Sequence, residues 1–223
     1  MTELDRDALK QFQFLVFTKL EGAVTSGMIH LGDRLGLYRA LAASETPMTS
    51  AELAAASGLH ERWVREWAHN QAAARIIRAE RDVDGNLRFS LTQEAIAVLA
   101  DADHEAFGMG MFHRLPQTME ALKHLPDSFR TGIGFDYDAH GPDGAVGIER
   151  SFEPWNRVHL LPTVLPTLEG VEDKLRAGAR VADIGCGAGG AVLLMAEAFP
   201  KSTFTGYDIS QHALARARER LEE

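Results

Sequence analysis

Val181-Ala-Asp-Ile-Gly-Cys-Gly-Ala-Gly-Gly190 is a short apolar run that ends in four glycines within six positions. Val192-Leu-Leu-Met-Ala-Glu-Ala-Phe199 follows it, then Ser202-Thr-Phe-Thr-Gly-Tyr207, which closes on Asp208. The order is strand, glycine-rich turn, helix, strand, a β-α-β unit whose two strands are expected to run parallel. The glycines let the backbone turn tightly and pass close beneath a ligand without side-chain clashes. A helix starting near Gly189 directs unpaired N–H groups and the positive end of its dipole at that ligand. Asp208 falls 21 residues after Gly187, at the end of the second strand, where a carboxylate can accept both hydroxyls of an adenosine ribose.

Two cofactors use such a turn. Gly185, Gly187 and Gly190 satisfy the G-x-G-x-x-G spacing of dinucleotide sites, so the spacing alone leaves NAD open. Asp183 bears on the choice. A carboxylate two residues ahead of the first glycine would repel a pyrophosphate and attract the ammonium group of a methionine moiety. With Gly189, the run Asp183-x-Gly185-x-Gly187-x-Gly189 favours S-adenosylmethionine.

At these residues, and at Thr205-Gly-Tyr-Asp-Ile-Ser210, the sequence resembles the class I S-adenosylmethionine-dependent methyltransferases. Ahead of them it looks like a subgroup with an N-terminal winged-helix dimerisation domain. There Glu149-Arg-Ser-Phe-Glu-Pro-Trp-Asn156 and Leu165-Pro-Thr-Leu-Glu-Gly-Val171 have close analogues. The resemblance implies that Asp183, Gly185, Gly187 and Gly189 surround the methionine part of S-adenosyl-L-methionine, with Cys186 in the same cofactor-binding turn. It puts Asp208 on the ribose and Ile209 against the adenine, and names no catalytic residue and no metal. It implies methyl transfer to a small-molecule acceptor. An NAD-dependent enzyme and a non-catalytic winged-helix regulator remain as alternatives.

The region upstream reads as mostly helical. Leu9, Phe12, Val16, Leu20 and Ala23 recur at helical spacing, and Phe14, Phe17 and Val24 put apolar groups on a second side. A surface helix needs only one apolar stripe, so the excess predicts burial by a second subunit, or else enclosure by the helix's own domain. A second helix is expected through Ile29, Leu31, Leu35, Leu37 and Leu41, with Gly36 inside it. Thr49-Ser-Ala-Glu52 is a capping-box pattern that starts a short helix. Ser57-Gly58 makes a turn before a helix carrying Trp63, Val64, Trp67 and Ala68. Two short strands, 76–81 and 87–91, flank Asp84-Gly85, a hairpin dipeptide, and a helix over 92–101 closes the region. Loops and short helices are expected over 102–148. A helix over 149–169 should be kinked or divided by Pro162 and Pro166.

The fold class that follows is mixed α/β. A winged-helix domain at 1–101 precedes a connector at 102–170 that covers the cofactor site. The first β-α-β-α part of a Rossmann-like domain occupies 171–223. Only 36 residues follow Gly187, and the later strands of a doubly wound sheet are not among them, so the chain reads as the N-terminal portion of a methyltransferase.

The 223 residues carry 23 Lys plus Arg against 32 Asp plus Glu, a net charge of −9. Residues 1–100 hold 11 of those cations and 13 acids, which leaves the winged helix without the cationic surplus that phosphate neutralisation demands. Nucleic acid is therefore not an expected partner, and neither is an anionic membrane surface. No signal core is visible in MTELDRD, and one cysteine excludes an internal disulfide, so a cytoplasmic protein is expected. Asp136, Asp138, His140 and Gly141 imitate the start of a calcium loop, but Gly147 stands where its bidentate Glu belongs. His113 and His124 lack the spacing of a helical zinc pair. Cys186, at a helix N-terminus, suits the tight turn by its small size, although such a position can also lower a thiol's pKa.

Overall fold

The computed structural model describes residues 4–223, so the part of the 1–101 expectation that falls on Met1–Glu3 lies outside the described residues. The chain divides into two units, Met1–Thr92 and Gln93–Glu223.

In the first unit, α1 runs over Arg6–Arg34, capped by the Asp5 carboxylate, which accepts from the Asp7 and Ala8 N–H groups at 2.9 and 3.1 Å. Gly36 is not inside a helix, as expected from the sequence, but separates two. It adopts φ 75°, where a helix cannot continue, so Ile29 and Leu31 complete α1 and Leu37–Ala42 forms α2. Helix α3 (Ser50–Ser57) starts with the full capping box: Glu52 N–H donates to Thr49 Oγ1, and Thr49 N–H donates to the Glu52 carboxylate. Gly58, with φ 67°, ends α3, and α4 (Glu61–Ala73) follows. Strands β1 (Arg78–Arg81) and β2 (Leu87–Ser90) pair antiparallel about Gly85.

The core of this unit is built around Tyr38, Leu37, Leu53, Trp67 and Phe89, each at most 3% exposed. The rings of Tyr38 and Trp67 meet edge to face at 5.2 Å. Tyr38 donates to Gln71 Oε1, and Trp67 Nε1 donates to Met28 O at 2.9 Å, so the polar ends of both rings are satisfied. Gly32 permits this contact, because a Cβ there would stand 2.6 Å from the Trp67 ring. Along α1 the outcome is different. Phe12, Phe14, Phe17, Leu20 and Val24 all stay more than half exposed, so its own unit does not enclose the helix.

In the second unit, α5 (Gln93–Leu99), α6 (Met109–His113), α7 (Leu115–Ala121) and α8 (Leu125–Thr131) are short. A 3-10 turn at Tyr137–His140 leads into α9 (Gly141–His159), so the segment 141–147, expected as loop, is helical. Gly110 of α6 lies so close to Ser151 and Arg150 of α9 that no side chain would fit there. After His159 the chain passes through a π-helical turn at Leu160–Val164 and a 3-10 turn at Leu165–Thr167. These turns hold Pro162 and Pro166, which cannot donate to a regular helical ladder. Helix α10 (Val171–Ala177), β3 (Arg180–Ile184), α11 (Gly190–Ala198), β4 (Thr203–Tyr207) and α12 (Gln211–Glu222) complete the unit.

Strands β3 and β4 are parallel, with Arg180 opposite Thr203 and Ile184 opposite Tyr207. Leu165, Leu175 and Phe199 form a buried cluster, with Val181, Met195 and Phe204 packed against it. That cluster holds one face of the strand pair and points the glycine-rich turn away from the apolar interior. Among the described residues no helix is long and apolar enough to cross a membrane.

Candidate functional site

The turn leaves β3 at Ile184 and reaches α11 at Gly190. Gly185, Gly187 and Gly189 have φ of 82°, 55° and 78°, left-handed values that a side chain would strain. Tyr207 O accepts from both Gly185 N–H, at 2.7 Å, and Cys186 N–H, at 3.0 Å. One oxygen of Asp208 accepts from Gly187 N–H at 2.8 Å and the other from Ser210 N–H at 2.8 Å. Asp208 therefore holds the turn from the end of β4. Each of its oxygens keeps a further lone pair for a ligand hydroxyl.

A cavity of about 340 Å³ opens against this turn. Asp183, Gly185, Cys186, Gly187, Ala188, Gly190 and Ala191 line one side, and Ile148, Glu149, Phe152, Glu153 and Asn156 of α9 line the other, with Arg220 of α12. Of the residues expected from the sequence, Asp183, Gly185, Cys186 and Gly187 thus share one cavity. Gly189 faces the opposite way, toward α12, where a Cβ would lie 3.4 Å from Ala217 Cβ. Asp208 is half-buried beside the turn, and Ile209 is 82% exposed next to it.

The α9 and Arg220 side chains are what the sequence reading missed. Glu149–Asn156 stood out there only as a resemblance, and nothing in local spacing links α9 to α12. The buried Glu153 carboxylate stands against Gly190 at the start of α11, so closely that any side chain at Gly190 would displace it. Glu149, Glu153, Asp183 and Arg220 face the cavity; Glu149 and Glu153 are paired with Arg216 and Arg220, which leaves Asp183 as the lining carboxylate without an ion-pair partner among the described residues.

Cys186 packs its sulfur toward Gly206 of β4, where a Cβ would stand 2.7 Å away. Burial, and then the Asp208 and Asp183 carboxylates, push its thiol up from the ordinary value. That is the reverse of the lowered pKa that a helix N-terminus can induce, and it leaves Cys186 protonated at neutral pH. The calcium-like segment is engaged elsewhere. Asp138 accepts from Ser210 Oγ and from Gln211 N–H at 3.2 Å, while Asp136 accepts from Asp138 N–H at 3.1 Å. The hydrogen bond from Ser210 holds the Asp138 carboxyl below its usual value. No cluster of three or more metal-ligating side chains exists among the described residues. His113 is buried, with Arg150 Nη1 at 2.9 Å from its Nδ1, and His124 stacks on Phe135. In the winged helix, Arg62 pairs with Glu66 and Arg65 with Glu61 along α4, so both cations are already engaged within the helix.

The fold is similar to that of solved methyltransferases. The family model of the Rv2258c-like winged HTH domain matches residues 23–100, and that of a methyltransferase domain matches residues 175–223. No curated protein sequence matches the chain. Human N-acetylserotonin methyltransferase, solved with S-adenosylmethionine, is similar over 98% of this chain at 16% identity and a TM-score of 0.66. The mitomycin 7-O-methyltransferase is similar over 98% at 22% identity and a TM-score of 0.65. An O-methyltransferase from neocarzinostatin biosynthesis, solved with S-adenosylmethionine and 2-hydroxy-5-methyl naphthoic acid, is similar over 89% at 19% identity and a TM-score of 0.54. The chain spans 64%, 64% and 60% of these three chains.

Proposed function

We propose that this chain belongs to a cytoplasmic enzyme that transfers a methyl group from S-adenosyl-L-methionine to a small-molecule acceptor. The observation that carries the reading is the Asp183 carboxylate, which lines the cavity beside Gly185 without an ion-pair partner among the described residues. A dinucleotide would bring its pyrophosphate against that carboxylate. A methionine moiety brings an ammonium and a sulfonium instead. The three structural relatives, two of them solved with S-adenosylmethionine, support the same choice.

In this reading Asp183, Gly185, Cys186 and Gly187 hold the methionine part, and Gly189 shapes the turn behind them. Asp208 takes the ribose hydroxyls and exposed Ile209 covers one face of the adenine. The bound cofactor supplies an electrophilic methyl group. The protein's contribution is alignment of acceptor, carbon and sulfur, which can lower a barrier by roughly 7–11 kcal/mol. Residues 1–101 serve dimerisation, 102–170 cover the cofactor and 171–223 bind it.

Calorimetric titration with S-adenosylhomocysteine, NAD and a DNA duplex tests the reading. Binding of S-adenosylhomocysteine alone is expected. Binding of NAD, or of DNA without either nucleoside, would replace this reading with a dinucleotide enzyme or a regulator.

The dimer rests on α1, where Phe12 is 65% and Phe17 58% exposed. Sedimentation at micromolar concentration is expected to show a dimer that Phe17→Glu converts to a monomer, since a buried unpaired charge is strongly unfavourable. A monomeric parent chain would remove α1 as the interface.

A further inference from the structure

Helices α9 and α12 face each other through four charges at matching four-residue spacing, Glu149 and Glu153 against Arg216 and Arg220. Arg216 Nε and Nη2 lie 2.9 and 3.2 Å from the two Glu149 oxygens. Arg220 Nη2 lies 2.8 Å from Glu153 Oε1, and its Nε lies 3.6 Å from Glu149 Oε1. The side chains of Arg220, Glu149 and Glu153 are only 13%, 13% and 10% exposed. The remaining Arg220 nitrogen, Nη1, donates to Ala188 O at 3.1 Å. Ala188 is buried inside the glycine-rich turn, between Gly187 and Gly189.

A buried ion pair is weak support for stability, because desolvation cancels much of the attraction. Its value here is geometric. One planar guanidinium addresses α9 through two carboxylates and the turn through a carbonyl, which a lysine's single ammonium cannot do from one position. The turn is thereby gripped twice, by Asp208 at the Gly187 N–H and by Arg220 at the Ala188 carbonyl.

We propose that Arg220 is a positioning residue for the cofactor: it fixes the glycine-rich turn against α9 and so sets the width of the cavity between them. The inference rests on the reading of that cavity as an S-adenosylmethionine site.

The test uses the 223-residue chain, with Arg220→Lys and Arg220→Met. Three quantities are measured: affinity for S-adenosylhomocysteine, Tm, and amide hydrogen exchange at Gly187 and Gly189, whose N–H groups donate to Asp208 Oδ2 and Cys186 O. Arg220→Lys, which keeps the charge, is expected to melt within a few degrees of the parent. It should nevertheless bind about tenfold more weakly and exchange those turn amides at least tenfold faster. Arg220→Met should lose affinity and Tm together. A lysine variant with parental affinity and parental exchange would overturn the positioning role while leaving the cofactor reading in place. A parent chain that does not bind S-adenosylhomocysteine would overturn both.

Discussion

Asp208→Ala is expected to weaken S-adenosylhomocysteine binding by about 2–3 kcal/mol, roughly 30- to 150-fold, since hydrogen bonds to charged groups contribute roughly 1.5–3 kcal/mol. In the proposed site the ribose hydroxyls would lose their acceptor, and the Gly187 and Ser210 N–H groups lose theirs in the same step. Asp208→Asn separates the two effects. An amide oxygen can serve one N–H group and one hydroxyl, so a smaller loss, about tenfold, is expected for Asn. Calorimetry on the three proteins reads the series directly. Equal affinity in all three would take Asp208 out of the site.

The second large effect is on stability. Trp67→Ala is expected to cost about 3–5 kcal/mol, the range for truncating a buried aromatic in a packed core. Trp67 is 3% exposed, meets Tyr38 edge to face and donates to Met28 O, so the variant also removes a side-chain hydrogen bond that ties α4 to α1. For a unit of this size each kcal/mol moves Tm by about 4–8 °C, so the first transition in a circular-dichroism melt should fall by more than 12 °C. Trp63, four residues earlier on the same helix but 75% exposed, is the control. Trp63→Ala should melt close to the parent, and a drop at Trp63 matching that at Trp67 would contradict the core described for this unit.

The two tryptophans also show where a sequence stops being readable. Both sit on α4 within one turn, and residue type alone does not say which one the core takes. The capping box at Thr49 and Glu52, the hairpin at Gly85 and the left-handed turn at Gly185–Gly189 were legible, because each is a local rule written in adjacent residues. Gly36 was misread for the opposite reason. Glycine is tolerated within helices and is also the preferred helix terminator, and only the packing of Leu37 and Tyr38 into the core selects the second role. In the site, the floor was legible and the far wall was not. Asp183, Gly185 and Gly187 follow one another in the chain, whereas Glu149, Glu153 and Arg220 meet them only through helix packing that has no local signature.

That far wall has a kinetic consequence. Glu149 and Arg216, like Glu153 and Arg220, are 67 residues apart in the chain. Closing a loop of that length costs on the order of 4 kcal/mol of chain entropy before either pair forms. The floor of the cavity belongs to a short β-α-β segment that can order early, whereas the wall must wait for α12 to dock on α9. The enclosure is therefore a late event in folding. Pulse-labelled exchange during refolding should protect the strand amides of Val181 and Thr205 before the α12 amide of Leu214, which donates to Ser210 O, and simultaneous protection would show that the two walls fold as one.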